Sequence, residues 1–199
     1  TGRFMNSSIV VFCAAVMHTP GGPLHYNADA ALAVQNGKIL FSGERSRALE
    51  LYPEAQFRSY PSCVILPGLV DTHVHLPQWD IAGIGRGELL HWLNTYVFPA
   101  EARFADTDFA FDRSVRFFRD ALSAGTTTLS VYSAPFFEAT DAAFRAAAHT
   151  GVRVCMGRTL MDCHAPAELL ASAERNIAES LQLANRWHNA DEGRLMYTL

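Results

Sequence analysis

From residue 64 onward, apolar β-branched runs alternate with stretches of helical period, and this alternation limits the fold more than any other feature. Val64 to Val70 reads as one strand buried on both faces. Asp106-Thr107-Asp108 is expected to cap a helix over 109–124, closed by Gly125. Residues 126–132 read as a second buried strand, 141–149 as an alanine-rich helix ended by Gly151, and 152–156 as a third strand. From Pro166 to about His188, Leu170, Ala173, Ile177, Leu181 and Ala184 recur every three or four positions, which predicts one long helix with that stripe toward the core. Residues 194–199 begin a fourth strand.

Strands alternating with helices mean βα units around a parallel sheet, an α/β chain. A doubly wound sheet usually carries a glycine-rich phosphate turn after its first strand. The one candidate, Gly83-Ile84-Gly85-Arg86-Gly87, has the wrong spacing. The reading that remains is the first half of a (β/α)8 TIM-like barrel. A whole barrel takes about 250 residues, so this chain of 199 residues is expected to be incomplete.

Residues 1–66 differ in kind. Residues 30–35 and 38–42 flank Asn36-Gly37, the strongest short hairpin signal, because both central residues of a type I′ turn need positive φ. A polar stretch with helical leaning follows Gly43, then a short strand over 57–60. The expected organisation is an N-terminal β-sandwich part over 1–66 and the half-barrel over 67–199.

Composition narrows the partners. Hydrophobic residues make up 49% and charged residues 18%, enough apolar surface for a substantial core. The net charge of −4 supplies no broad basic face, which argues against nucleic acid or an anionic membrane as partner. Lys38 is the single lysine, so no later segment offers a Schiff-base or carboxylated lysine. Cys13, Cys63, Cys155 and Cys163 form no C-x-x-C pair, which favours a reduced, cytoplasmic compartment. The apolar run from Ile9 to Met17 is too short to span a bilayer.

The chemistry concentrates at Asp71-Thr72-His73-Val74-His75. Residues two apart on a strand project from one face, so His73 and His75 point the same way at the strand's C-terminal end, where barrels place their active sites. Neutral imidazoles at that spacing can share one Zn²⁺, although a catalytic zinc usually takes three protein ligands. Asp71 is expected to orient the strand end or a histidine rather than bind metal.

Pro67-Gly68-Leu69-Val70-Asp71-Thr72-His73-Val74-His75 resembles the metal-binding first strand of the amidohydrolase superfamily. Leu76-Pro77-Gln78 and the stretch from Leu89 to Phe104, with Trp92 and Phe98-Pro99-Ala100-Glu101, resemble the guanine deaminase branch. So do Gly125-Thr126-Thr127-Thr128, Leu160-Met161-Asp162 with Ala165-Pro166, and Arg186-Trp187-His188 with Gly193-Arg194-Leu195.

The resemblance implies one zinc ion held in part by His73 and His75. It also implies hydrolysis of guanine to xanthine and ammonia, a small purine as partner, and a homodimer. Zinc activates water as a nucleophile at neutral pH, and a carboxylic acid moves the proton to the leaving amine. Gln78 is implied as a contact to the purine, since an amide offers both donor and acceptor, and Trp92 as a wall or stacking surface. The family's other metal ligands, its catalytic glutamate and its guanine-binding arginine–phenylalanine pair are expected beyond Leu199.

Glu101 is expected at a helix start or in a salt bridge, not as proton shuttle. Cys163 and His164 stand where the family has other residues and are expected to be structural. The stretch Tyr132-Ser133-Ala134-Pro135-Phe136 also departs from the family pattern. Two alternatives remain: another amidohydrolase acting on a purine, pterin or triazine ring, and a non-catalytic half-barrel that binds.

Overall fold

A computed structural model of the chain describes residues 8–19, 21–85 and 87–199. It divides into two compact units, Thr1–Pro67 and Gly68–Leu199.

The first unit is a four-stranded sheet with one helix. β1 (Val10–His18) pairs antiparallel with β2 (His25–Gln35), which turns into β3 (Lys38–Glu44). The turn forms as the sequence predicts, with Asn36 at φ 51° and Gly37 at φ 73°. After the short helix α1 (Arg45–Leu51), β4 (Gln56–Ile65) lies parallel to β1. Val11, Cys13, Ala31, Ala33 and Ala48 form its small core.

The apolar run from Val64 to Val70 is not one strand. β4 ends at Ile65 and β5 begins at Leu69 (Leu69–His75), so the run is divided between two sheets. Pro67, which has no N–H to give a ladder, and Gly68 mark the break. Nor is β5 buried on both faces. It is the edge strand of its sheet, and Leu69 and Val70 are 56% and 62% exposed.

In the second unit, β5, β6 (Thr126–Ser133), β7 (Arg153–Arg158) and β8 (Leu195–Tyr197) form a parallel sheet in strictly sequential order. A doubly wound sheet must reverse its strand order at some point; this one does not, and it matches a partial (β/α) barrel. Between β5 and β6 lie a 3₁₀ turn (Leu76–Ile81), α2 (Leu89–Trp92), a π turn (Leu93–Val97) and α3 (Phe98–Ala102). α4 (Thr107–Ser123) follows, then α5 (Phe137–Thr150) after β6 and α6 (Ala173–Trp187) after β7. Asp106 caps α4 as expected, its side chain accepting from the Asp108 and Phe109 amides at 3.0 and 3.1 Å. Gly151 closes α5 in the left-handed region at φ 78°. Phe118, Phe144, Leu129, Val154, Met156, Leu183 and Leu195 are among the residues of the core.

α6 buries a different face from the one its apolar stripe predicts. Ile177 and Leu181 are 58% and 57% exposed, whereas Asn176, Ser180 and Leu183 are buried. Polar partners decide the orientation. Asn176 donates to the carbonyls of Met161 and Ala171, satisfying backbone in the loop before the helix. Glu179 meets the buried Arg158 guanidinium at 2.6 Å. At the far end Trp187 stacks on Phe144 at 5.3 Å and donates to Asp141 at 2.9 Å. These residues share one side of the helix, and apolar periodicity does not reveal it.

Candidate active site

β5 delivers His73 and His75 at its C-terminal end, as the alternation along a strand requires. Their ring centroids lie 5.2 Å apart. Asp71 reaches forward along the strand, its carboxylate accepting from the His73 amide at 3.1 Å, and so acts on the backbone there. His75 is half-buried. Burial, and secondarily the neighbouring charge of His73, lowers its pKa, which favours the neutral imidazole that a metal needs. Its Nδ1 is buried without a hydrogen-bond partner.

Leu76 and Pro77, both buried, anchor the turn that follows; Pro77 suits the first turn of a helix because it has no N–H to leave unpaired. The turn carries Gln78 into the same region. Asp80, at its end, forms ion pairs with Arg103 and Arg113 at 3.4 and 3.3 Å. Trp92 ends α2, and its indole N–H donates to the Ile84 carbonyl at 2.5 Å, which leaves the ring's apolar surface for other contacts. The π turn after Trp92 runs into Pro99, which cannot donate within a helix. Asn94 donates to the Leu90 carbonyl at 2.7 Å alongside it.

These elements line an open cavity of about 490 Å³. Its lining includes His73, His75, Gln78 and Trp92, so the four residues singled out from the sequence meet in one place. Cys163 and His164 do not line it. Both are exposed, and His164 takes a left-handed φ of 56°. A hydrogen bond with Asp162, with smaller contributions from burial and the Asp162 charge, pushes the Cys163 thiol up.

Two residues of this region carry more than the sequence suggests. Tyr132 lies directly across the ladder from His75, with its ring 4.7 Å away and nearly parallel, and 5.0 Å from His73. Its position at the C-terminal end of the next strand was the available signal. Glu101 is the second: it lies in the first turn of α3, one of its two expected places, but is buried at 3% exposure and makes no ion pair among the described residues. Burial raises its carboxyl to about 7, and a hydrogen bond from the Gln78 amide pulls the other way.

Two neighbouring imidazoles, one with a buried and unpartnered Nδ1, fit half of a zinc coordination sphere. No group of three or more His, Cys, Asp or Glu side chains arranged to hold a metal occurs among the described residues.

The chain is similar to known proteins over most of its length. The profile of the amidohydrolase family matches residues 64–199. Guanine deaminase of Escherichia coli is 37% identical over 177 residues, covering 88% of this chain and 40% of its own length. A probable guanine deaminase of Deinococcus radiodurans is 35% identical, over 95% of this chain and 45% of its own. A 5-methylthioadenosine/S-adenosylhomocysteine deaminase of Desulfitobacterium hafniense is 27% identical over 87% of this chain and 38% of its own. The solved structure of E. coli guanine deaminase superposes with a TM-score of 0.86 at 32% identity, covering 96% of this chain and 45% of that one. The chain thus spans under half the length of these relatives.

Proposed function

The chain belongs to the amidohydrolase family, and from that premise we propose that the protein is a zinc-dependent aminohydrolase that converts guanine to xanthine and ammonia. The observation that carries the reading is the convergence of His73, His75, Gln78 and Trp92 on one cavity at the C-terminal end of a barrel strand. The similarity to guanine deaminases over most of the chain supports guanine over other nitrogen heterocycles.

The roles follow from the side chains. His73 and His75 would hold the metal through neutral imidazole nitrogens. Bound zinc supplies Lewis acidity that makes water a competent nucleophile near neutral pH. Gln78 would pair with the polar edge of the ring, matching donor with acceptor. Trp92 would exclude water with a ring whose own N–H is already satisfied by Ile84.

A substrate panel on the zinc-loaded protein tests this reading, with guanine set beside adenosine-type, pterin and triazine substrates. The expected result is the highest kcat/KM for guanine, with Gln78→Ala lowering it while zinc stays bound. A higher kcat/KM for another heterocycle, or Gln78→Ala without effect, would overturn the assignment.

A further inference from the structure

The first unit brings a second pair of imidazoles together. His18, the last residue of β1, and His25, the first of β2, stand directly opposite each other in the antiparallel ladder. Side chains so placed start about 4.5–5.5 Å apart at Cβ. Here the ring centroids lie 5.9 Å apart with 39° between the planes. β1 carries a bulge between Ala14 and Val16, and bulges re-aim the side chains beyond them. Past it, Val16 and His18 share one side of their strand, as His25 and Asn27 do on β2.

A cavity of about 180 Å³ opens at this pair, with His18, His25, Val16, Tyr26, Asn27 and Ser42 in its lining. That volume holds an ion and several waters, at about 30 Å³ for each water. Neither imidazole has a hydrogen-bond or ion-pair partner among the described residues, which leaves the ring nitrogens free to bind. Asn27, by contrast, is held at both ends. Its amide N–H donates to Glu44 at 3.1 Å, and its oxygen accepts from the Asp29 amide at 3.0 Å. That part of the lining is therefore fixed, and the Glu44 carboxylate beside it favours a cation over an anion.

We propose that His18 and His25 form a two-imidazole chelate for a divalent ion of borderline softness, Cu²⁺ above Ni²⁺ and Zn²⁺, with water in the remaining positions. Two nitrogens at about 2.0–2.1 Å from one ion stand about 3 Å from each other. The rings are slightly farther apart than those of His73 and His75, 5.9 against 5.2 Å. Small side-chain rotations close that gap, because His25 is exposed and His18 only half-buried. With two protein ligands the ion exchanges freely, so the site fills from added metal and empties on desalting. A bound ion ties the end of β1 to the start of β2 and has no part in the deamination.

Copper titration of the zinc-loaded full chain tests the proposal, with zinc release followed alongside. Wild type should bind one Cu²⁺ beyond its zinc, with a paramagnetic resonance spectrum that shows two nitrogen ligands. His18→Gln and His25→Gln should each weaken this binding by about tenfold or more, because each removes one arm of the chelate. The double variant should be little worse than either single one. In wild type, without any substitution, the ring resonances of both histidines should broaden together at substoichiometric Cu²⁺. Copper bound only in exchange for zinc, a spectrum with a single nitrogen, or wild-type affinity in either single variant would overturn the chelate. The readout involves no substrate, so it stands whether or not guanine is turned over.

Discussion

His75 and Tyr132 face each other directly across the parallel ladder, and their rings stack at 4.7 Å with only 10° between the planes. The phenol ring therefore limits the swing of an imidazole that the account assigns to metal binding. Tyr132→Ala should weaken zinc affinity by about tenfold or less, the range set by one aromatic contact of 0.5–1.5 kcal/mol. Tyr132→Phe, which keeps the ring, should leave it near wild type. Competition with a chromophoric chelator measures both, and equal affinities in wild type and Tyr132→Ala would remove the tyrosine from this role.

The ion pair between Arg158 and Glu179 should be needed for folding rather than chemistry. Arg158 is buried, donates from Nε to the Pro135 carbonyl at 3.1 Å, and meets Glu179 at 2.6 Å. Glu179→Ala leaves that guanidinium uncompensated, and such losses cost about 3–5 kcal/mol. Urea denaturation should show a midpoint lowered accordingly. A change below about 1 kcal/mol, the usual worth of a surface pair, would contradict the burial argument.

Gly68 is required by a close approach. A Cβ there would lie 1.9 Å from Thr127 Oγ1 and 2.6 Å from Thr127 Cβ, so β5 and β6 could not keep their spacing. Gly68→Ala should destabilise the protein by about 1–3 kcal/mol or more. Adding Thr127→Ala should relieve only part of this, since the Cβ contact persists. Thermal melts of the single and double variants check the order.

Glu101 predicts a pH dependence of stability with a definite sign. Its carboxyl is raised to about 7 in the folded protein against an ordinary 4.5, chiefly by burial. Between those values the folded state holds a proton that the unfolded chain has released. Its contribution is therefore complete below about pH 4.5, declines as pH rises, and is lost above about 7, amounting to at most about 3 kcal/mol. Glu101→Gln should flatten this decline, so that wild type loses more stability than the variant between pH 5 and pH 8. Parallel denaturation curves for the two proteins at both pH values would contradict it.

Local backbone chemistry made much of the fold legible. Asn36-Gly37 specifies its turn because few residue pairs tolerate two positive φ values, and Asp106 caps α4 because its oxygen reaches free amides of the first turn. The alternation of strands and helices gave the half-barrel, and the i, i+2 spacing put both histidines on one face. Apolar counting failed where polar groups decide burial. α6 turns Ile177 and Leu181 outward because Asn176 satisfies carbonyls of the loop before the helix and Glu179 meets the buried Arg158. Glu101 and Tyr132 escaped for the same reason, since their importance lies in neighbours that the fold brings together, Gln78 and His75.

Whether His73 and His75 bind zinc is decided by the metal content of the purified protein, with wild type compared against His73→Ala combined with His75→Ala. Wild type should carry about one zinc per chain and the folded double variant almost none. A double variant that keeps its full complement of zinc would contradict it.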